Sequence, residues 1–174
     1  MNENIKIFLT GFMGSGKTAH GKPLAELLNV DFFDLDYYIE KKYNRSATKI
    51  FAEEGEQKFR EYEKYALQEI ISDNQNFVLA TGGGTPCFNN NIEFINANGT
   101  SIYLKCTVAE LYENILQSNP ERPLLQGKLG NELYERIKQL LSIREPVYEQ
   151  AKIILTSENH NPQKIFETIN SKTV

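Results

Sequence analysis

Two cysteines, Cys87 and Cys106, are too few for a disulfide framework and do not stand at a metal-ligating spacing. They are expected to be inert thiols in a reducing cytoplasm. No apolar run approaches the roughly 20 residues that a bilayer-spanning helix needs. The opening MNENIKIF lacks the basic flank and long apolar stretch of a signal peptide. A cytoplasmic location without a membrane partner follows as the expectation. Positive charge is also short. The net charge is −4, which argues against a nucleic-acid partner, because counterion release needs clustered Lys and Arg. Among the basic residues arginine is scarce: five of 19, at Arg45, Arg60, Arg122, Arg136 and Arg144. Aspartate is scarcer still, four of 23 acidic residues, three of them at Asp31, Asp34 and Asp36. Where Lys and Glu are the default charges, each Arg or Asp is a candidate for a role set by geometry.

What is present is led by IKIFLTGFMGSGKT (5–18). Gly11, Gly14, Gly16, Lys17 and Thr18 satisfy the G-x-x-x-x-G-K-[ST] pattern of a phosphate-binding loop. The glycines let the backbone wrap an anion with its N–H groups pointing inward. Gly14, Ser15, Gly16, Lys17, Thr18 and Ala19 form the expected nucleotide cradle. Lys17 reaches toward the β- and γ-phosphates, and the Thr18 hydroxyl is placed to ligate Mg²⁺. An apolar run, Ile5–Leu9, precedes the loop and helix-compatible sequence follows it, as the motif requires. Binding of a nucleoside triphosphate is predicted.

At 174 residues, 40% of them hydrophobic and 24% charged, the chain suits a single domain, 1–174, with one sizeable core. Strand-like runs recur at 5–10, 31–35, 77–81, 101–105 and 152–156, with segments of helical period between them. The alternation predicts an α/β fold: a three-layer α/β/α arrangement around a mostly parallel five-stranded sheet. Thr107-x-x-Glu110 reads as a capping box, and Asn161-Pro162 as an N-cap followed by a first-turn proline. In such sheets ligands bind at the carboxyl ends of the strands. The phosphate loop, Asp34/Asp36 and Gly82–Gly84 each follow a predicted strand and should converge there. Pro23 lies inside the helix expected from Lys17 to about Leu28, so a kink or an altered first turn is predicted.

Further motifs are FFDLDYYIE (32–40), GEQKFREYE (55–63), TGGGTP (81–86), ERPLL (121–125) and REPVYEQA (144–151). Taken together they resemble shikimate kinase, of the nucleoside-monophosphate-kinase-like P-loop superfamily. The resemblance runs from the phosphate loop to nearly the C-terminus. It implies phosphoryl transfer from ATP to the 3-hydroxyl of shikimate, with Mg²⁺, in aromatic amino acid biosynthesis. It also implies a substrate-binding segment at about 34–63 and a lid at about 119–131. Asp36 matches the aspartate that binds the reacting hydroxyl, and Asp34 the acid near Mg²⁺. Arg60 and Arg144 match a clamp on the substrate carboxylate, which suits the planar guanidinium fork. Gly82, Gly83 and Gly84 let backbone approach the substrate. Arg122 matches an arginine finger on the γ-phosphate; Lys17, Asp36 and Arg122 are the expected catalytic set. Glu63 is expected to orient Arg60 from one helical turn away.

ATP and shikimate are the expected partners, and a monomer the expected unit. Arg45 and Arg136 match no functional position and read as surface or ion-pair residues. His20 and His160 have no partners nearby and are expected to pack or to face solvent. The adenine end departs from the family: Tyr112–Pro120 holds no basic residue, and 157–162 reads SENHNP. Gluconate or nucleoside-monophosphate kinase activity, or an ATP-driven switch without an acceptor, are the competing readings.

Overall fold

The computed structural model describes residues 4–118, 123–125 and 127–172. The described residues form five strands and seven α-helices: β1 (Lys6–Thr10), α1 (Lys17–Leu28), β2 (Asp31–Asp34), α2 (Leu35–Tyr43), α3 (Ala47–Asp73), β3 (Phe77–Ala80), α4 (Asn91–Asn98), β4 (Thr100–Lys105), α5 (Val108–Gln117), α6 (Gly130–Tyr148), β5 (Ile153–Thr156) and α7 (Pro162–Lys172). Each strand lies within a residue of its predicted run. The strands form one sheet in the order β2-β3-β1-β4-β5, parallel at every pairing. Among the described residues no helix is long and apolar enough to cross a membrane.

The strands read as apolar runs because helices cover both sides of the sheet. Alternate side chains then divide between two cores. Ile7, Leu9, Val78, Ile102 and Leu104 pack against Leu24 and Ala25 of α1 and Ile165 of α7. Phe8, Phe77 and Leu79 point the other way, onto α2, α3 and α4. Tyr103 continues that second face toward α5 and α6, among Leu111, Ile137 and Tyr148.

Local signals hold at the helix starts. Thr107 and Glu110 make the reciprocal capping box of α5. Asn161 Oδ1 accepts from the Gln163 amide at 2.8 Å where α7 begins at Pro162. Pro23 lies within α1, which continues through it from Lys17 to Leu28. The turn around it packs closely: Leu24 and Ala25 are buried, and a Cβ on Gly21 would lie 2.6 Å from the Phe32 ring.

The helix that does break is α3, at Gly55, with φ 81° and ψ 170°. That conformation is essentially restricted to glycine. The break turns residues 56–73 into a second helical segment, which carries Arg60 and Glu63 toward the carboxyl edge of the sheet. A Cβ on Gly55 would meet nothing within 4 Å, so substitution tests the backbone alone. Gly55→Ala should cost about 1–3 kcal/mol of stability, read as a lower midpoint in urea unfolding with an unchanged slope. An unaltered midpoint would show that this kink is not held in the folded protein.

Candidate active site

The order β2-β3-β1 sets the ends of three strands side by side, so the segments that follow them share one cavity of about 1210 Å³. Its wall includes Gly16, Lys17, Asp36, Arg60, Gly84 and Arg144. All but one of the sequence-predicted functional groups are therefore on or beside one cleft. The exception, Arg122, lies outside the described residues, as do 119–121 and 126 of the predicted lid. Leu125, from the described part of that segment, is buried against α5 and α6.

The phosphate loop leads from β1 into α1. Gly16 caps α1 with φ 85°, a left-handed conformation that leaves the first-turn N–H groups open to an anion. Ser15 Oγ is buried at the loop without a hydrogen-bond partner among the described residues. Lys17 folds back on the loop: its Nζ donates to the carbonyls of Gly11 and Phe12, each at 2.9 Å. Thr18 Oγ1 donates to Asp34 Oδ2 at 2.6 Å. The other Asp34 oxygen accepts from the Tyr37 amide at 3.2 Å, which caps α2 and fixes the carboxylate beside the loop.

Arg60 is braced on several sides. Its Nη1 donates to Glu63 Oε2 at 2.7 Å. Nε and Nη2 both donate to Glu56 Oε1, at 3.2 and 2.7 Å. The Phe88 ring lies 4.4 Å from the guanidinium carbon, a cation–π contact that fixes its tilt. Glu63 is 1% exposed, and its Oε1 accepts from Thr85 Oγ1 at 2.5 Å. Burial pushes the Glu63 carboxyl up, with Arg60 and Thr85 opposing. A Cβ on Gly84 would lie 2.4 Å from Arg60 Nη1, so a side chain there would displace the guanidinium from its braced position. Arg144, from α6, is 6% exposed, lies over the Phe12 ring and donates weakly to the Gly83 carbonyl at 3.5 Å. Tyr148 donates to that same carbonyl.

Asp36 opens onto the cavity between these two sets of groups. Enclosure by protein atoms, then the Glu63 and Asp34 carboxylates, push its carboxyl up to about 7, while Lys17 and Arg60 pull the other way. Its side chain is exposed to the cavity, so water screens part of this effect while the cleft is open.

The histidines correct the sequence reading. His20 and His160 do have partners: their rings meet edge to face at 5.9 Å, joining α1 to the segment after β5. His160 is 6% exposed, with Nε2 3.0 Å from the Leu155 carbonyl and Nδ1 3.9 Å from Cys106 Sγ. Those partners assign a neutral ring donating from Nε2. Burial lowers the pKa of both rings, and His160 lowers that of His20 further. His160 thus packs, as expected, and does not point a cation at the cleft. Arg45 pairs with Glu53 and Glu54 at 3.4 and 2.5 Å, and Arg136 donates to Gln139 at 2.9 Å.

Sequence reasoning passed over Thr85, Phe88 and Glu56. Glu56 was legible as the residue four before Arg60, on the same helical face. Phe88 and Thr85 lie far from Arg60 in sequence and carry no local signal.

A model of the shikimate kinase family matches residues 13–173. A shikimate kinase of Azobacteroides pseudotrichonymphae is 44% identical over 96% of this chain and 98% of its own length. One from Parabacteroides distasonis is 45% identical over 88% of each. Among solved structures, a shikimate kinase from Bacteroides thetaiotaomicron superimposes with a TM-score of 0.88 at 38% identity, covering 97% of this chain and 98% of that one. The Acinetobacter baumannii enzyme, solved in complex with shikimate, gives 0.85 at 35% identity, covering 99% and 97%.

The elevated Asp36 pKa has a consequence for stability. In the unfolded chain the group titrates near 3.8, and in the fold near 7, so the fold holds the proton more tightly. Its contribution is present below about pH 4 and is lost as pH rises through 7. Asp36→Asn should therefore raise Tm at pH 8, with the gain shrinking toward zero near pH 4. Thermal melts at both values decide it; an equal shift at both would contradict the assignment.

Proposed function

The chain belongs to the shikimate kinase family, an ATP-dependent kinase, and on that premise we propose which of its residues move the γ-phosphate of ATP to the 3-hydroxyl of shikimate. The products are shikimate 3-phosphate and ADP. One observation carries the assignment: a carboxylate, Asp36, and two buried guanidiniums, Arg60 and Arg144, line the same cavity as the phosphate loop. That set fits a hydroxylated carboxylic acid rather than a nucleotide acceptor, which would need groups for a base as well.

Arg60 and Arg144 take the carboxylate of shikimate, and Asp36 takes the reacting hydroxyl. Phosphoryl transfer proceeds through a loose transition state, so orientation and charge neutralisation matter more than a strong base. Asp36 holds the hydroxyl in line and accepts its proton. A pKa of about 7 makes it a better acceptor than an ordinary aspartate at neutral pH. Lys17 exchanges its two loop carbonyls for phosphate oxygens, and the first-turn N–H groups of α1 hold the remaining charge. Arg122 is assigned to the γ-phosphate as an arginine finger supplied in cis.

Mg²⁺ fits the residues present. Among the described residues no three His, Cys, Asp or Glu side chains converge as a metal cage, but Mg²⁺ is commonly held by one or two oxygen ligands plus substrate phosphates. Thr18 and Asp34, already joined by a hydrogen bond, supply hard oxygen donors and would hold it. When bound it neutralises charge on the β- and γ-phosphates. A monomer in the cytoplasm is the proposed working unit.

Lysine for arginine separates fork geometry from charge. Arg60→Lys and Arg144→Lys should each weaken shikimate binding by roughly 1.5–3 kcal/mol, about a tenfold to hundredfold rise in KM. KM for ATP should hardly move, and Arg45→Lys serves as a silent control. Unchanged KM for shikimate in both variants would overturn the carboxylate clamp.

A further inference from the structure

We propose that Glu56 is a stand-in for the substrate carboxylate, occupying the side-on fork of Arg60 until shikimate displaces it. The inference rests on Arg60 being the carboxylate grip. A guanidinium has five N–H donors, and the Nε/Nη2 edge is the one that holds a carboxylate side-on with two parallel bonds. Here that edge is already taken, both donors converging on one Glu56 oxygen at 3.2 and 2.7 Å.

The two acids that hold Arg60 are unlike. The Glu63 side chain is 1% exposed and also bound to Thr85, whereas the Glu56 side chain is 43% exposed. Among the described residues the only hydrogen bonds of the Glu56 side chain are to Arg60. Pulling Glu63 away would strand a buried charge, and that is costly. Releasing Glu56 returns its exposed carboxylate to water, while the buried Arg60 keeps its charge paired with Glu63. Glu56 also stands directly after Gly55, where the helix breaks, so it begins the second segment rather than sitting within a continuous rod.

The arriving carboxylate replaces like with like. Arg60 keeps its Glu63 anchor and its Phe88 contact throughout, and only the exposed partner changes. A neutral polyol offers nothing in exchange, so Glu56 discriminates against acceptors that lack an acid group.

The experiment is steady-state kinetics on the wild type and Glu56→Gln, which keeps the shape and removes the charge. KM for shikimate should fall about two- to fivefold on losing an exposed competitor, with kcat and KM for ATP unchanged. A rise or no change in KM for shikimate, with the wild type active, means that Glu56 merely braces Arg60 and overturns the proposal. No shikimate-dependent ADP release by the wild type would instead defeat the functional reading on which it rests. A wild-type crystal structure with shikimate bound gives a second measure free of mutant folding. Glu56 should have left Nε and Nη2, and its persistence there overturns the exchange.

Discussion

The Glu63 carboxylate is the constraint on which the rest of the cleft depends. It is almost fully buried, and a buried carboxylate is tolerated only when its oxygens are satisfied. One oxygen takes Arg60 and the other Thr85. The Thr85 bond ties α3 to the segment after β3, across 22 residues of sequence, while the Arg60 bond fixes the guanidinium on the same helix. The same charge is the second-largest cause of the elevated Asp36 pKa. A single side chain thus aims the group that reads the substrate acid and tunes the group that handles its hydroxyl.

Backbone approach follows from that arrangement. With Arg60 locked against Glu63, space beside the guanidinium is set by the chain after β3. A Cβ at Gly82 would lie 2.6 Å from Glu63 Oε1, and one at Gly84 2.4 Å from Arg60 Nη1. Gly82 and Gly84 therefore face the buried ion pair, which already fills the space a side chain would take, before any substrate is considered. The phosphate loop is linked to the acceptor side more lightly, through the Thr18–Asp34 hydrogen bond.

The sheet and the phosphate loop were legible because their signals are local: apolar runs, segments of helical period between them and a glycine spacing. The convergence of Asp36, Arg60 and Gly82–Gly84 was legible only through topology, since parallel strands place their following loops at one edge. Pairings across the fold were not legible. Nothing near His160 announces Cys106 or His20, and nothing near Arg60 announces Phe88. Pro23 is a related case. Helix propensity is a local quantity, and α1 is held by its packing on the sheet. Gly55 misleads in the opposite direction: it lies inside a motif of helical period, while its backbone breaks the helix.

The central claim is that one cleft joins a phosphate loop to a site for a hydroxylated carboxylic acid. The direct measurement is ADP release in the presence of shikimate, gluconate and a panel of nucleoside monophosphates. The account predicts turnover that depends on shikimate and stays near background with the others. Turnover that is independent of acceptor, or greatest with gluconate or a nucleoside monophosphate, would contradict it.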